Sequence, residues 1–191
     1  MIKVVLIIIF SGDQKMGKSK FGFALVLVLL ALSACGKKDS GATGAAGPEA
    51  TGNAIQFVTT QDSKPLVIDT ALFDTPAAKE FLATGKNPYI GNAEAIAKGK
   101  KIFQLYSCTQ CHGPEAKGQV GPGLIGPTFK YPKNATNKGM FETIWHGTNG
   151  GMGAKGVGLM DPTDPKNGIT PDELLKVISW IRSMGSVTGN E

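Results

Sequence analysis

Apolar positions fall into two regimes along the 191-residue chain. Up to residue 36 they are contiguous. Val4 to Phe10 is a run of seven, far short of the roughly 20 residues that span a bilayer. Phe21 to Leu32 follows Lys18 and Lys20 and has the length of a signal-peptide apolar core. Residues 37–54 are small and polar with no periodicity, a composition that cannot bury enough apolar surface to offset chain ordering, so a flexible linker is expected there. From Ile55 onward the apolar residues are spaced.

Ile55 to Asp74 predicts an extended arm, with β-formers in Gln56–Thr60 and Leu66–Ile68 around a Ser63-Lys64-Pro65 turn. Thr75-Pro76 reads as an N-cap and first helical residue for a short helix over Ala77–Ala83 that stops at Gly85. A second helix should start after Asn92 and run to about Tyr106, with Ile96, Gly99, Phe103 and Tyr106 on one face. A third is expected over Lys138 to His146. The last is the clearest: Thr170 caps it, Pro171 is its first residue, Glu173 completes a capping box, and Leu174, Val177, Ile178 and Ile181 recur at helical spacing before Gly185. The fold class is therefore mostly α, three to four helices with too few strands for a sheet-based core. The loops between the helices are long and glycine-rich, and loops of that length need something to organise them. A large buried cofactor would do so.

The domain plan that follows is an export signal over 1–35, a linker over 36–54, an extended arm and short helix over 55–91, a folded core over 92–185 and a tail over 186–191. Leu32-Ser33-Ala34-Cys35-Gly36 resembles a bacterial lipobox, in which the cysteine becomes the lipidated N-terminus, so Cys35 is the expected lipid attachment point. Met16-Gly17-Lys18 would be an ordinary start for such a signal, and residues 1–15 then read as an upstream over-call of the start. A diacylated terminus anchors stably where one acyl chain does so marginally. The expected location is the periplasmic side of a bacterial membrane.

Charge changes the picture little. The formal +5 includes four basic residues before Cys35 (Lys3, Lys15, Lys18, Lys20) against one acid (Asp13), which leaves 16 basic and 14 acidic residues, a net of +2. No basic stripe of the kind nucleic-acid binding needs is present.

The chemistry lies in Cys108-Thr109-Gln110-Cys111-His112-Gly113. Two thiols three residues apart can each add to one vinyl group of a haem, and the histidine that follows can offer an imidazole nitrogen to the iron. A zinc site would want a second ligand pair, and the only other cysteine is Cys35. A redox dithiol would want a βαβ context, which is absent. The expected cofactor is one covalently bound haem c.

The sixth iron ligand should come from downstream, where Met140, Met152, Met160, Met184 and His146 are the candidates. Met140 and Met184 fall inside expected helices, where methionine more often fills core. His146 has a plain explanation as a helix C-terminal residue. Met152 lies in Asn149-Gly150-Gly151-Met152-Gly153, a loop 40 residues beyond His112 in which glycine permits close backbone approach. Met152 fits best, Met160 in a similar loop comes next and His146 after it. Gly121-Pro122-Gly123-Leu124, nine residues after His112, is a turn that can aim a backbone carbonyl of Pro122 at the far imidazole nitrogen, or a plain turn.

Cys108 to His112, Gly121 to Leu124, the Met152 loop and Gly99-Lys100-Lys101-Ile102-Phe103 together resemble a class I cytochrome c. Thr75 to Phe81, Tyr131-Pro132-Lys133-Asn134, Lys138 to Ile144 and Asn149 to Gly153 narrow the resemblance to the cytochrome cL family, over roughly Ile55 to Met184. The resemblance implies a class I cytochrome c fold in which Gly99 and Phe103 meet Val177, Trp180 and Ile181, a methionine ligand at Met152, and a calcium ion whose ligands cannot be assigned here. It implies an electron carrier, not an enzyme. Its donor would be a pyrroloquinoline-quinone (PQQ) methanol dehydrogenase, and its acceptor a terminal oxidase or another cytochrome c. The lipobox and the net +2 after Cys35 depart from soluble, often acidic members of that family. A general membrane-anchored shuttle, or a haem enzyme or sensor with a displaceable sixth ligand, would carry the same haem motif.

Overall fold

The computed structural model describes residues 54–187 and 189–190. The expected export segment, with Cys35, and the linker up to residue 53 lie outside the described residues. Among the described residues no helix is long and apolar enough to cross a membrane.

The arm begins with a minimal hairpin. β1 (Phe57–Val58) pairs antiparallel with β2 (Pro65–Leu66), Phe57 opposite Leu66. The second strand thus starts on the proline that was expected to close the turn. Proline has no N–H to give a ladder, and an edge strand tolerates that. The Thr59 N–H donates to the Lys64 carbonyl at 2.9 Å and closes the turn.

Five α-helices follow among the described residues. α1 (Pro76–Thr84) is capped by the Thr75 hydroxyl, which accepts from the Ala78 N–H, and ends at Gly85 in the left-handed conformation. α2 (Ala93–Leu105) is capped by the Asn92 side chain. α3 (Thr109–His112) is a single turn that the apolar pattern could not reveal, because four residues carry no periodicity. α4 (Asn137–His146) is capped by Thr136 and starts one residue before the expected Lys138. α5 (Pro171–Met184) has the full Thr170–Glu173 capping box. Gly185 does not close α5 with a left-handed turn: its backbone is extended, and a side chain there would overlap the Ile125 carbonyl. Met184 is not core filler either; it lies 39% exposed at the end of α5, whereas Met140 is buried.

α2 and α5 cross main chain to main chain. A Cβ on Gly99 would overlap the Lys176 carbonyl, and the Phe103 and Trp180 rings pack 4.6 Å apart beside the crossing. Close approach of this kind needs glycine for its missing Cβ. A second apolar layer joins the arm to α4, where Phe141 lies 4.9 Å from Phe81, 5.3 Å from Phe57 and 5.6 Å from Trp145, centroid to centroid.

Buried polar groups tie these layers. Glu142, fully buried on α4, accepts from the Val58 N–H at 2.8 Å and pairs with Lys133 at 2.6 Å and Lys138 at 2.5 Å. Asp172 on α5 accepts from the Thr75 hydroxyl at 2.8 Å and the Tyr89 hydroxyl at 2.6 Å, and pairs with Lys176. Asn87 donates to the Leu175 carbonyl at 2.8 Å. A buried charge is tolerated only when so partnered.

Candidate haem-binding site

α2 ends at Leu105 with Tyr106 as its C-cap, and Ser107 turns the chain through a positive φ of 57°. The Cys108 carbonyl then accepts from the N–H groups of Cys111 at 3.3 Å and His112 at 2.9 Å. Residues three and four apart share a helix face, so this one turn puts both thiols and the imidazole on the same side. All three line a cavity of about 360 Å3. Burial pushes the Cys108 thiol up from its ordinary range, and the nearby Lys155 charge pulls it partly back.

His112 is buried and its orientation is set by the next turn. The Gly121 N–H donates to the Cys111 carbonyl at 2.7 Å, and the Pro122 carbonyl oxygen comes within 2.8 Å of Nδ1. A carbonyl can only accept, so the proton of the neutral ring sits on Nδ1 and the lone pair on Nε2. That is the tautomer a metal needs, with the second nitrogen committed to an outer partner. Gly121 makes the approach feasible, since a Cβ there would stand 3.1 Å from Cε1 and 3.2 Å from Nδ1 of His112.

Of the sixth-ligand candidates, Met152 lines this cavity and the others do not. Its loop is drawn tight: the Thr148 N–H donates to the Met152 carbonyl at 2.8 Å, and Gly147, with φ of 82°, leaves no room for a Cβ beside that carbonyl. Met160 lines a second cavity next to the first. His146 ends α4 and lines neither, and its Nδ1 is buried without a hydrogen-bond partner among the described residues.

Phe129, Lys130, Tyr131 and Asn134 form a further wall of the cavity. Arg182 holds it: the guanidinium donates to the carbonyls of Asn134 at 2.8 Å and Ala135 at 3.1 Å and lies over the Phe129 ring. Burial lowers its affinity for its proton below the ordinary arginine value. The signal was available, because Arg182 follows Ile178 by four residues and Leu175 by seven, and a charge on an apolar stripe has to be explained. Lys155, at the edge of the cavity, carries no such pattern.

Two thiols on one helical face, an imidazole with only Nε2 left to donate and a thioether in the same largely apolar cavity form a donor set that fits haem c. Among the described residues no group of three or more His, Cys, Asp or Glu side chains converges that could hold a metal ion, so no calcium ligands are assigned.

A family profile for cytochrome c matches residues 96–185. Cytochrome c-L of Methylorubrum extorquens is 43% identical over 111 residues, covering 58% of this chain and 51% of that protein. The chain thus spans about half the length of this curated relative. The crystal structure of cytochrome cL from Hyphomicrobium denitrificans is similar at 40% identity and a TM-score of 0.58, over 68% of this chain and 73% of that one. Cytochrome CL from the marine methylotroph Methylophaga aminisulfidivorans MPT matches at 36% identity and a TM-score of 0.57, over 68% and 79%. With the fold, the cysteine–histidine turn and the methionine loop all in place, the chain belongs to the cytochrome cL family.

Proposed function

We propose that this chain is a one-haem electron carrier that accepts single electrons from a PQQ-dependent methanol dehydrogenase and passes them toward a terminal oxidase or another cytochrome c. The observation that supports it best is the gathering of Cys108, Cys111, His112 and Met152 around one cavity, with Nδ1 of His112 occupied by Pro122. In this reading Cys108 and Cys111 would hold a haem through thioethers, and His112 Nε2 and the Met152 sulfur would be the donors offered to its iron. When bound, haem c supplies an Fe(III)/Fe(II) couple. A donor set supplied wholly by the chain would leave no open position for a substrate, which suits a carrier rather than an enzyme.

The chain's own residues then set the potential and the route. Methionine ligation and burial of the site both favour the reduced form, which suits an acceptor for a quinone enzyme. Cys111, Pro122 and Gly150 are exposed while also lining the cavity, so this edge is where an electron would enter. Lipidation at Cys35 would tether residues 55–185 to a membrane on the periplasmic side through the polar linker.

Stopped-flow mixing of the oxidised holoprotein with a PQQ methanol dehydrogenase from the same cell tests the reading. Fast, saturable reduction is expected. A holoprotein that ascorbate reduces and the dehydrogenase does not would leave a general electron shuttle and remove the methanol-oxidation partner.

A further inference from the structure

The arm reaches the haem cavity through three side chains. Thr60, in the turn after β1, places its hydroxyl 2.8 Å from the Thr143 hydroxyl on α4, which in turn stands 2.7 Å from Oδ1 of Asn134. Asn134 and Thr143 both line the cavity. We propose that Thr60 is a positioning residue for the haem: it closes this chain from the arm side, holds the Asn134 amide with its N–H end toward the cavity, and so raises the reduction potential. The proposal rests on the electron-carrier reading above and gives the arm a share in its redox chemistry.

Counting protons sets the direction of the chain. A carbonyl oxygen only accepts, so Thr143 donates the bond to Oδ1. A hydroxyl has one proton, and this shorter contact takes it in preference to the Gly139 carbonyl at 2.9 Å. With the Thr143 proton committed, Thr60 is the donor between the two hydroxyls. The order is therefore Thr60 to Thr143 to Asn134, each bond polarising the next.

The far end of the amide faces the site. Oδ1 is engaged, and Nδ2 has no partner among the described residues. Asn134 is only 7% exposed, yet Nδ2 is not sealed in, so the opening it reaches is the cavity. The backbone around it is fixed: the Asn134 N–H donates to the Tyr131 carbonyl at 2.9 Å, and the Asn134 carbonyl accepts from Arg182 at 2.8 Å. The arm end is held as firmly, since the Val58 N–H donates to Glu142, one residue before Thr143, at 2.8 Å. What is left free is the rotation of the amide about its last bond, and Thr143 sets it.

The N–H end of an amide carries partial positive charge. Oxidised haem has one positive charge more than reduced haem, so a positive dipole end beside it favours the reduced form. Removing the Thr60 hydroxyl leaves a lone pair on buried Thr143 without its donor. An unmet buried group of that kind is costly, and the Asn134 N–H can fill it by turning the amide over. Oδ1, the negative end, then faces the cavity and favours the oxidised form.

The test is a redox titration of full-length holoprotein. Against a fixed mediator, Thr60→Val should shift the equilibrium about threefold toward the oxidised protein, and Thr143→Val at least as far. Thr60→Ser, which keeps the hydroxyl, should titrate as wild type, as should Thr84→Val at the end of α1, away from the cavity. Thr60→Val added to Thr143→Val should shift the equilibrium no further, because the chain is already cut. A Thr60→Val protein with the wild-type potential, whatever its melting temperature, overturns the proposal. So does a shift toward the reduced form, or one that adds to the shift of Thr143→Val. If Thr143→Val takes up no haem, the comparison of Thr60→Val with Thr60→Ser decides alone. The dehydrogenase plays no part in these titrations, so its failure to reduce wild type would remove the donor assignment only, whereas a wild type without covalent haem overturns both.

Discussion

Gly99 meets the carbonyl of Lys176 with no room for a Cβ between them, which fixes the distance between α2 and α5 at the crossing. Backbone cannot rotate away as a side chain can, so Gly99→Ala must push the helices apart. Overpacking of this kind costs about 1–3 kcal/mol. Chemical denaturation of the holoprotein should show a lower midpoint for Gly99→Ala with the haem spectrum retained, while Ala97→Ser on the exposed side of α2 should leave the midpoint unchanged.

The contact between the Pro122 carbonyl and His112 Nδ1 predicts an electronic effect. A hydrogen bond at the outer nitrogen makes the imidazole a stronger electron donor through the inner one. Gly121→Ala puts a methyl group against the ring and weakens that bond. The reduction potential of the variant should rise, because a poorer donor stabilises the oxidised iron less. A potential equal to wild type would show that the turn has no electronic influence.

Met152 is expected to be the sixth ligand. Met152→Ala should abolish the weak methionine–iron charge-transfer band at the red end of the oxidised spectrum and lower the potential. Met160→Ala and His146→Ala should keep the band. Its loss in Met160→Ala with retention in Met152→Ala would reverse the assignment.

The helices were legible wherever a cap and a periodic stripe coincided, as at Thr75, Asn92 and Thr170. The haem turn was legible as a motif but not as a helix, since α3 is too short for a stripe and owes its shape to the Cys108 carbonyl. The hairpin was readable only as extended chain, because two-residue strands carry no alternation. Among the methionines, Met152 was favoured by its glycine loop, and what the sequence could not give was which opening each of Met152 and Met160 lines. Lys155 carries no local signal, and although Arg182 stands out as a charge on the apolar stripe of α5, the carbonyls it holds lie 47 and 48 residues away, which local pattern does not record.

Asp172 gives the fold an acid limit. Burial pushes its carboxyl up, and the bonds from Lys176, Tyr89 and Thr75 more than reverse this, leaving it below the ordinary carboxylate value. The unfolded chain then binds the proton more readily, so the stabilisation is present above roughly pH 4 and is lost as pH falls through the lower folded value. Thermal melts across this range should fall more steeply for wild type than for Asp172→Asn. Tyr89 sets the opposite limit: burial and the Asp172 charge push its hydroxyl up to about 12. The corresponding stabilisation holds below about pH 10 and is lost as pH rises through the folded value, which Tyr89→Phe should remove.

Glu142 depends on both of its lysines. Either Lys133→Met or Lys138→Met leaves one ion pair in place. The double variant strands a fully buried carboxylate, a situation that costs about 3–5 kcal/mol. Denaturation midpoints should show the double variant losing more than the sum of the singles, and additivity would mean that the carboxylate is relieved by solvent.

The partners of the arm lie far along the chain. Val58 and Glu142 are 84 residues apart, Asn87 and Leu175 are 88, and Thr75 and Asp172 are 97. Because a chain is synthesised from its N-terminus, Phe57, Phe73 and Phe81 exist before any residue of α4 or α5 that will cover them. Closing such long loops is also slow relative to local helix formation. Until α5 is complete, the three phenylalanines are surface that a chaperone or another nascent chain can bind. The part of this fold made first finds its place last.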